Sequence, residues 1–206
     1  MSTTADDIVA IGGRLTADAL VTAYRRGVFP WPSEGLPLLW FCPRRRAVLD
    51  FDALHIGRSL ARARRRSGLR FTIDAAFERV IQRCAEAPRP DQDGTWITPE
   101  VIRAYTQLHR RGGAHSAEAW RGDRLVGGVY GVDAGGSFSA ESMFHEEPNA
   151  SKLALLHLID HLRSRGLGWL DIQVLTPHME RMGAREIPRQ EFLARLRRER
   201  GRRLFP

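Results

Sequence analysis

Lysine is all but missing from this chain: Lys152 stands alone against a large complement of arginines. Cysteine is nearly as scarce. Cys42 and Cys84 sit in unrelated contexts, which excludes a disulfide framework and offers no zinc-ligand spacing, so no metal is expected. No apolar run approaches the ~20 residues that a membrane-spanning helix needs. Met1 to Ala10 carries Asp6 and Asp7 and lacks a basic segment backed by an apolar stretch, so neither a membrane anchor nor a secretion signal is expected. A reducing cytoplasm is the expected compartment. Acids, finally, are absent from Gly57 to Arg70, a stretch holding Arg58, Arg62, Arg64, Arg65, Arg66 and Arg70.

What is present rules out a disordered chain. With 43% hydrophobic and 27% charged residues among 206, there is room for one domain, or two small ones, with a real core. The net charge of +8 is unevenly spread. A bias toward arginine accounts for arginine in place of lysine, but not for the missing acids. An acid-free arginine block is the electrostatic footprint of a phosphate-backbone partner; a solvated face is the plainer alternative. A second cluster, Arg195 to Arg203, is diluted by Glu199.

Along the chain, Thr16 is expected to cap a helix carrying Leu20, Val21 and Tyr24 on one face, with Gly27 past its end. Phe29-Pro30-Trp31-Pro32 is expected to be irregular and to display its aromatics. Leu38 to Leu49 reads as strand pieces broken by Pro43, and Leu54 to Arg66 as a basic helix. The boundary expected after it divides a small domain, residues 1–66, from a larger one, 67–206. In the larger part, Phe71-Thr72-Ile73 is a short strand, and Asp74 is expected to cap a helix that buries Phe77, Val80, Ile81 and Cys84. A loop from Ala87 to Gly94 precedes Thr98-Pro99-Glu100, a strong helix start. Three strands follow (Ala114 to Trp120, Leu125 to Val132, Ser137 to Phe144), then a helix opened by Asn149 or Ser151, a strand, a short helix and a basic C-terminal helix. The fold class is α/β (α+β) with a mostly antiparallel sheet.

The strand Leu170-Asp171-Ile172-Gln173-Val174-Leu175 places an acid and an amide two residues apart. Side chains at i and i+2 of a strand share a face, so Asp171 and Gln173 are expected to project together, away from Leu170, Ile172 and Val174. Two readings follow: the pair lines a polar cleft, or neighbouring backbone satisfies it. On the first reading, alanine at either position leaves folding intact.

The element order resembles GNAT-type acyltransferases, which place a glycine-rich pyrophosphate loop between the meander and the next helix. Here that junction, His145 to Lys152, has two acids and no glycine, so coenzyme A fits poorly and no cofactor is expected.

Several unusual islands occur in order: Gly12-Gly13-Arg14-Leu15, Ala23 to Trp31, Gly94-Thr95-Trp96-Ile97-Thr98, Gly127-Gly128-Val129-Tyr130-Gly131, Glu141-Ser142-Met143-Phe144, Asn149-Ala150-Ser151-Lys152, Leu170 to Val174, and Gly183 to Arg189. As an ordered set they closely resemble the leucyl/phenylalanyl-tRNA–protein transferase family over nearly the whole chain. The resemblance implies a small N-terminal domain on a GNAT-like domain. It also implies transfer of Leu or Phe, and Met less well, from aminoacyl-tRNA to proteins beginning with Arg or Lys, marking them for degradation.

By the same resemblance, Gln173 accepts a hydrogen bond from the attacking α-amine and Asp171 supports it. Asp171 could equally attract the acceptor's cationic side chain. Trp31 and Trp96 surround the terminal adenosine and the aminoacyl group, with core packing as the alternative for each. Glu141 contacts the aminoacyl end, and Tyr105 lies near the same cleft. Val129, Phe138, Leu155, Leu158 and Leu170 line the side-chain pocket. Independently of the resemblance, the acid-free clustering of Arg58, Arg62, Arg64, Arg65 and Arg66 on one predicted helix leads to the expectation that they meet tRNA phosphates, and a monomer is expected. Val129 stands where a larger Met is familiar, which implies a wider pocket. Arg14, Ala140 and Thr176 are further departures, and none touches Asp171 or Gln173. The competing readings are a coenzyme A-dependent N-acyltransferase and a non-catalytic RNA-binding module.

Overall fold

The computed structural model describes residues 5–33, 35–88 and 95–206. A three-stranded antiparallel sheet opens the chain, built from β1 (Ile8–Ile11), β2 (Phe29–Trp31) and β3 (Leu39–Phe41) in the order β1-β3-β2. Helix α1 (Ala17–Tyr24) is inserted between β1 and β2. It starts as expected, with the Thr16 hydroxyl accepting from the Ala19 N–H at 3.2 Å. The Phe-Pro-Trp segment is not irregular. Pro30 is tolerated in β2 because that strand is an edge, where a missing N–H breaks no ladder on its outer side.

A seven-stranded sheet forms the body. Its strands are β4 (Arg45–Asp50), β5 (Arg70–Ile73), β6 (Ala114–Arg121), β7 (Arg124–Asp133), β8 (Phe138–His145), β9 (Trp169–Gln173) and β10 (Arg185–Pro188). They lie in the order β10-β4-β9-β8-β7-β6-β5. Every pairing is antiparallel except β8 with β9. The helices are α2 (Arg58–Arg66), α3 (Phe77–Glu86), α4 (Pro99–Arg110), α5 (Ala150–Ser164), α6 (Pro177–Arg181) and α7 (Arg189–Arg198). Two adjacent glycines of β7 show how they cover the sheet. A side chain at Gly127 would strike Ala150 of α5, and one at Gly128 would crowd Val80 of α3. The sheet is therefore sandwiched, with α5 on one face and α3 on the other, and both glycines let a helix approach the backbone closely.

The structure differs from expectation at three points. The boundary after residue 66 does not follow the sheets, since β4 belongs to the large sheet and α2 packs on α5. Asp74 does not cap α3: it has a left-handed φ of 58° and turns its carboxylate to the Ser116 N–H (2.8 Å) and to His115 Nδ1 (2.6 Å). The N–H groups of Ala75 and Ala76 instead donate to the buried Glu118 of β6, each at 3.4 Å. The edge strand β10 was not expected at all. Most of the Ala87–Gly94 loop lies outside the described residues.

Candidate active site

Strands β8 and β9 meet at a single parallel pair, Ser139 with Asp171. Beyond it the strands part, and a cavity of about 540 Å³ opens between them. Its walls include Val129, Glu141, Leu155, Ile172, Val174 and His178. Ile172 and Val174, expected on the side away from the chemistry, are thus cavity residues.

Asp171 is 1% exposed, and its carboxylate is fully engaged. Oδ1 accepts from Arg46 Nε (2.8 Å) and the Gln173 N–H (2.9 Å), while Oδ2 accepts from Arg46 Nη2 (2.7 Å) and the Ser139 hydroxyl (2.7 Å). Arg46 is equally buried and lies 4.6 Å from the ring centroids of both Phe29 and Phe192. Burial alone would lower its pKa, but the Asp171 carboxylate beside it holds it above the ordinary value, in an ion pair of 2.7 Å. Of the two readings of the acid–amide pair, the satisfied one describes Asp171. It is neither a free base nor a free anion for a cationic acceptor.

Gln173 is different. The Val174 N–H donates to the Ile172 carbonyl at 2.6 Å, a three-residue turn with Gln173 at its centre and at a φ of 63°. Such a turn at positive φ is rare and strained. The Asp171 bond to the Gln173 N–H holds it. The Gln173 Nε2 donates to Glu141 Oε1 at 2.6 Å, which leaves the amide oxygen as an acceptor.

Burial pushes the Glu141 pKa from 4.5 up to about 8, with the Asp171 charge adding to the rise and bonds from Tyr24 and Gln173 opposing it. Tyr24 and Tyr105 share a 2.7 Å hydrogen bond, and burial holds both phenols well above their ordinary pKa. The sign of the linkage is clear: folded protein keeps the Glu141 proton between pH 4.5 and about 8, where the unfolded chain releases it. Stability from this group is full below that window and is lost as pH rises through it. Denaturation midpoints at pH 5, 6.5 and 8 should therefore show Glu141→Gln gaining on the native protein at each step. A constant difference would assign Glu141 an ordinary pKa.

The other expected residues divide. Glu141, Val129 and Leu155 line the cavity; Phe138, Leu158 and Leu170 do not and are 0% exposed. The reason is register. Phe138 and Leu170 each precede the Ser139–Asp171 pair, on the side away from the cavity, and Leu158 lies one turn further along α5 than Leu155. Tyr105 is also wholly buried and meets the site through Tyr24 and Glu141. Trp31 and Trp96 are half-buried and stack on each other, with centroids 6.2 Å apart at 22°. All five arginines of α2 are exposed, yet Arg64 pairs with Asp160 of α5, so the block is acid-free only in sequence. Arg46 was missed because Arg44-Arg45-Arg46 reads as one more exposed triplet. The available signal was that Arg46 shares a strand face with Val48 in an otherwise apolar run.

Two arrangements bear on cofactors. At the β8–α5 junction, Glu147 pairs with Arg121 (2.7 Å) and Arg124 (2.7 Å), and Glu146 with Arg83 and Arg124, so the two acids of this glycine-free turn are held by arginines. Asp74, His109 and His115 are grouped closely enough to hold a metal ion. Their donors are already committed: His109 Nδ1 lies 2.7 Å from the Ala114 carbonyl, and His115 bridges Asp74 and the Gly112 carbonyl. The cluster ties α4, β6 and the β5–α3 turn together, under a ring of Phe205 stacked 3.6 Å from His115.

A family model described as leucyl/phenylalanyl-tRNA protein transferase matches residues 48–197, and the model of that family's N-terminal domain matches residues 13–44. The leucyl/phenylalanyl-tRNA–protein transferase of Anaeromyxobacter sp. (strain K) is 55% identical over 193 residues, covering 94% of this chain and 83% of the relative. The protein of the same name from Nitratidesulfovibrio vulgaris (strain DP4) is 51% identical over 189 residues, covering 92% and 81%. Among solved structures, a GCN5-related N-acetyltransferase-like protein from Streptococcus suis 89/1591 aligns at 12% identity with a TM-score of 0.42, over 83% of this chain and 64% of that one. A match to the catalytic model across most of the chain, at more than half identity to a named relative, makes this chain a member of the leucyl/phenylalanyl-tRNA protein transferase family.

Proposed function

We propose that the enzyme moves Leu or Phe, and Met less well, from aminoacyl-tRNA to the α-amine of cytoplasmic proteins beginning with Arg or Lys, and so marks them for degradation. The observation that carries this reading is Gln173, strained and pinned between Ile172 and Val174 of the cavity wall, with its amide nitrogen held by Glu141, which lines the cavity.

An aminoacyl ester is already activated, so the reaction needs placement above all, and good placement is worth ~7–11 kcal/mol. The neutral amine nitrogen attacks the ester carbonyl carbon while one of its hydrogens is held by Gln173 Oε1. The tetrahedral adduct collapses to an amide and expels the ribose oxygen, which takes up the proton the nitrogen sheds, directly or through water. Gln173 orients and does not deprotonate. Asp171 is a positioning residue that acts through the Gln173 backbone. Glu141, largely neutral at pH 7, fixes the amide by accepting from its nitrogen. Trp31 and Trp96 offer indole faces to the unpaired terminal adenosine.

Labelled Leu-tRNA incubated with a peptide that begins with Arg tests the reading, with and without ribonuclease. Labelling that disappears with ribonuclease supports it; labelling from an acyl-coenzyme A, or none, overturns it.

Arg58, Arg62, Arg65 and Arg66 are exposed and, in this reading, contact acceptor-stem phosphates, with Arg64 held back by Asp160. Neutralising two of the four should flatten the salt dependence of tRNA binding by roughly one unit of log slope each. Arg64→Gln should change the slope least, and equal effects at all five positions would argue against this ranking.

Val129 lines the cavity and is 1% exposed. Val129→Met should shift preference toward Leu over Phe by ~1–3 kcal/mol at most, the scale of a methylene-sized change in an apolar pocket. Competition between the two aminoacyl-tRNAs measures it, and an unchanged ratio removes Val129 from specificity.

A further inference from the structure

At the other end of β8, beside the β7–β8 turn, lies a second cleft of about 540 Å³. It is lined by Thr22, Arg25 and Arg26 near the end of α1, by Ala134 and Gly135 of the turn, and by Arg200 and Gly201 beyond α7. All three arginines are exposed, and none makes an ion pair with a carboxylate among the described residues.

The acids nearby are spent elsewhere. Glu199, which dilutes this basic cluster in the sequence, bonds Arg202 (2.7 Å) and lies 3.8 Å from Arg198. Asp133 is close enough to feel the Arg25 charge, but one of its oxygens accepts from the Gly135 and Gly136 N–H groups, each at 2.8 Å. A cation at the end of α1 is favoured by the helix dipole, which explains Arg25 or Arg26 singly. It does not explain why Arg200 arrives from the distant tail and donates to the Arg25 carbonyl at 3.4 Å. Three like charges around one concavity repel each other until an anion enters.

We propose that this cleft is a phosphate-binding site separate from the catalytic cavity. Three guanidinium groups and a threonine hydroxyl match the oxygens of a phosphate or pyrophosphate group, for which arginine is the geometrically suited partner. Among the described residues no aromatic lines the cleft, so the charge, and not a base, is the feature recognised.

Pyrophosphate is the probe, titrated into the full-length protein at low salt while the amide signals of Gly135 and Gly201 are followed by NMR. The expected result is saturable shifts at both glycines, with affinity at least about tenfold weaker in Arg25→Gln/Arg200→Gln. No saturable shift, or equal affinity in the double variant, overturns the proposal. Displacement of pyrophosphate by deacylated tRNA would identify an RNA backbone phosphate as the occupant. No displacement would identify a free phosphate compound. Because binding is read directly, failure here is distinct from failure of the transferase reading, and transfer from saturating aminoacyl-tRNA should be unchanged in the variant.

Discussion

Asp171→Ala should cost the protein about 3–5 kcal/mol of stability, the scale for breaking a buried ion pair by removing one partner. The cost arises because Arg46, 1% exposed between two phenyl rings, would keep a charge with no counterion. Urea unfolding of the variant measures it directly, and a loss under about 1 kcal/mol would mean that water reaches Arg46. The double variant Arg46→Met/Asp171→Leu sharpens the result. Replacing both charges with apolar groups of similar volume is often neutral or better for stability. Much of the lost stability should therefore return. Transfer activity should not, since the bond from Asp171 to the Gln173 N–H would still be gone. Stability and activity would then be separated at one residue.

The second large effect is expected at Gln173. Its φ of 63° costs an ordinary residue ~1–2 kcal/mol and costs glycine almost nothing. Gln173→Gly should thus fold at least as well as Gln173→Ala, while both lose the amide. Single-turnover transfer with pre-bound aminoacyl-tRNA should fall on the order of 10²-fold in each, the penalty for misplacing a reacting group. Aminoacyl-tRNA affinity should hold. A full rate in the glycine variant would show that the turn, and not the amide, is what the site requires. Gln173→Glu should be partly active with a shifted pH profile, because the new carboxylate would lie against Glu141 and the two would share a proton. The Asp171 charge would add to the repulsion, opposed by that of Arg46.

Most elements were legible because their signals are local. Thr16 and Thr98 announce helix starts through a hydroxyl within three residues of its target, and the apolar spacing of Phe77, Val80, Ile81 and Cys84 gives the buried face of α3. Asp171 and Gln173 were singled out from an i, i+2 spacing, and the structure links them to Glu141 of the cavity wall, Gln173 through its amide nitrogen and Asp171 through the Gln173 N–H. Their division of labour was not legible, because it depends on Arg46, which is distant in sequence and looks like surface. Register across β8 and β9 was hidden in the same way. Nothing along either strand says where the two part, so Phe138 and Leu170 could not be told from Val129 and Leu155. Asp74 misled because a capping residue and a left-handed hub residue have the same composition in sequence; only Ser116 and His115, brought in by β6, decide between them.

The aromatic clamp on Arg46 also sets an order of events during synthesis. Phe29 and Arg46 leave the ribosome early, whereas Phe192 arrives only with α7, after every strand of the large sheet has been made. Until then the guanidinium has one aromatic wall and open water on the other side. The Arg46–Asp171 pair cannot be dehydrated before the chain is almost complete, so the turn that holds Gln173 matures last. A chain ending at residue 188 and released from the ribosome should accordingly be cut by protease near β4 and β9, even where the β6–β8 meander is already protected.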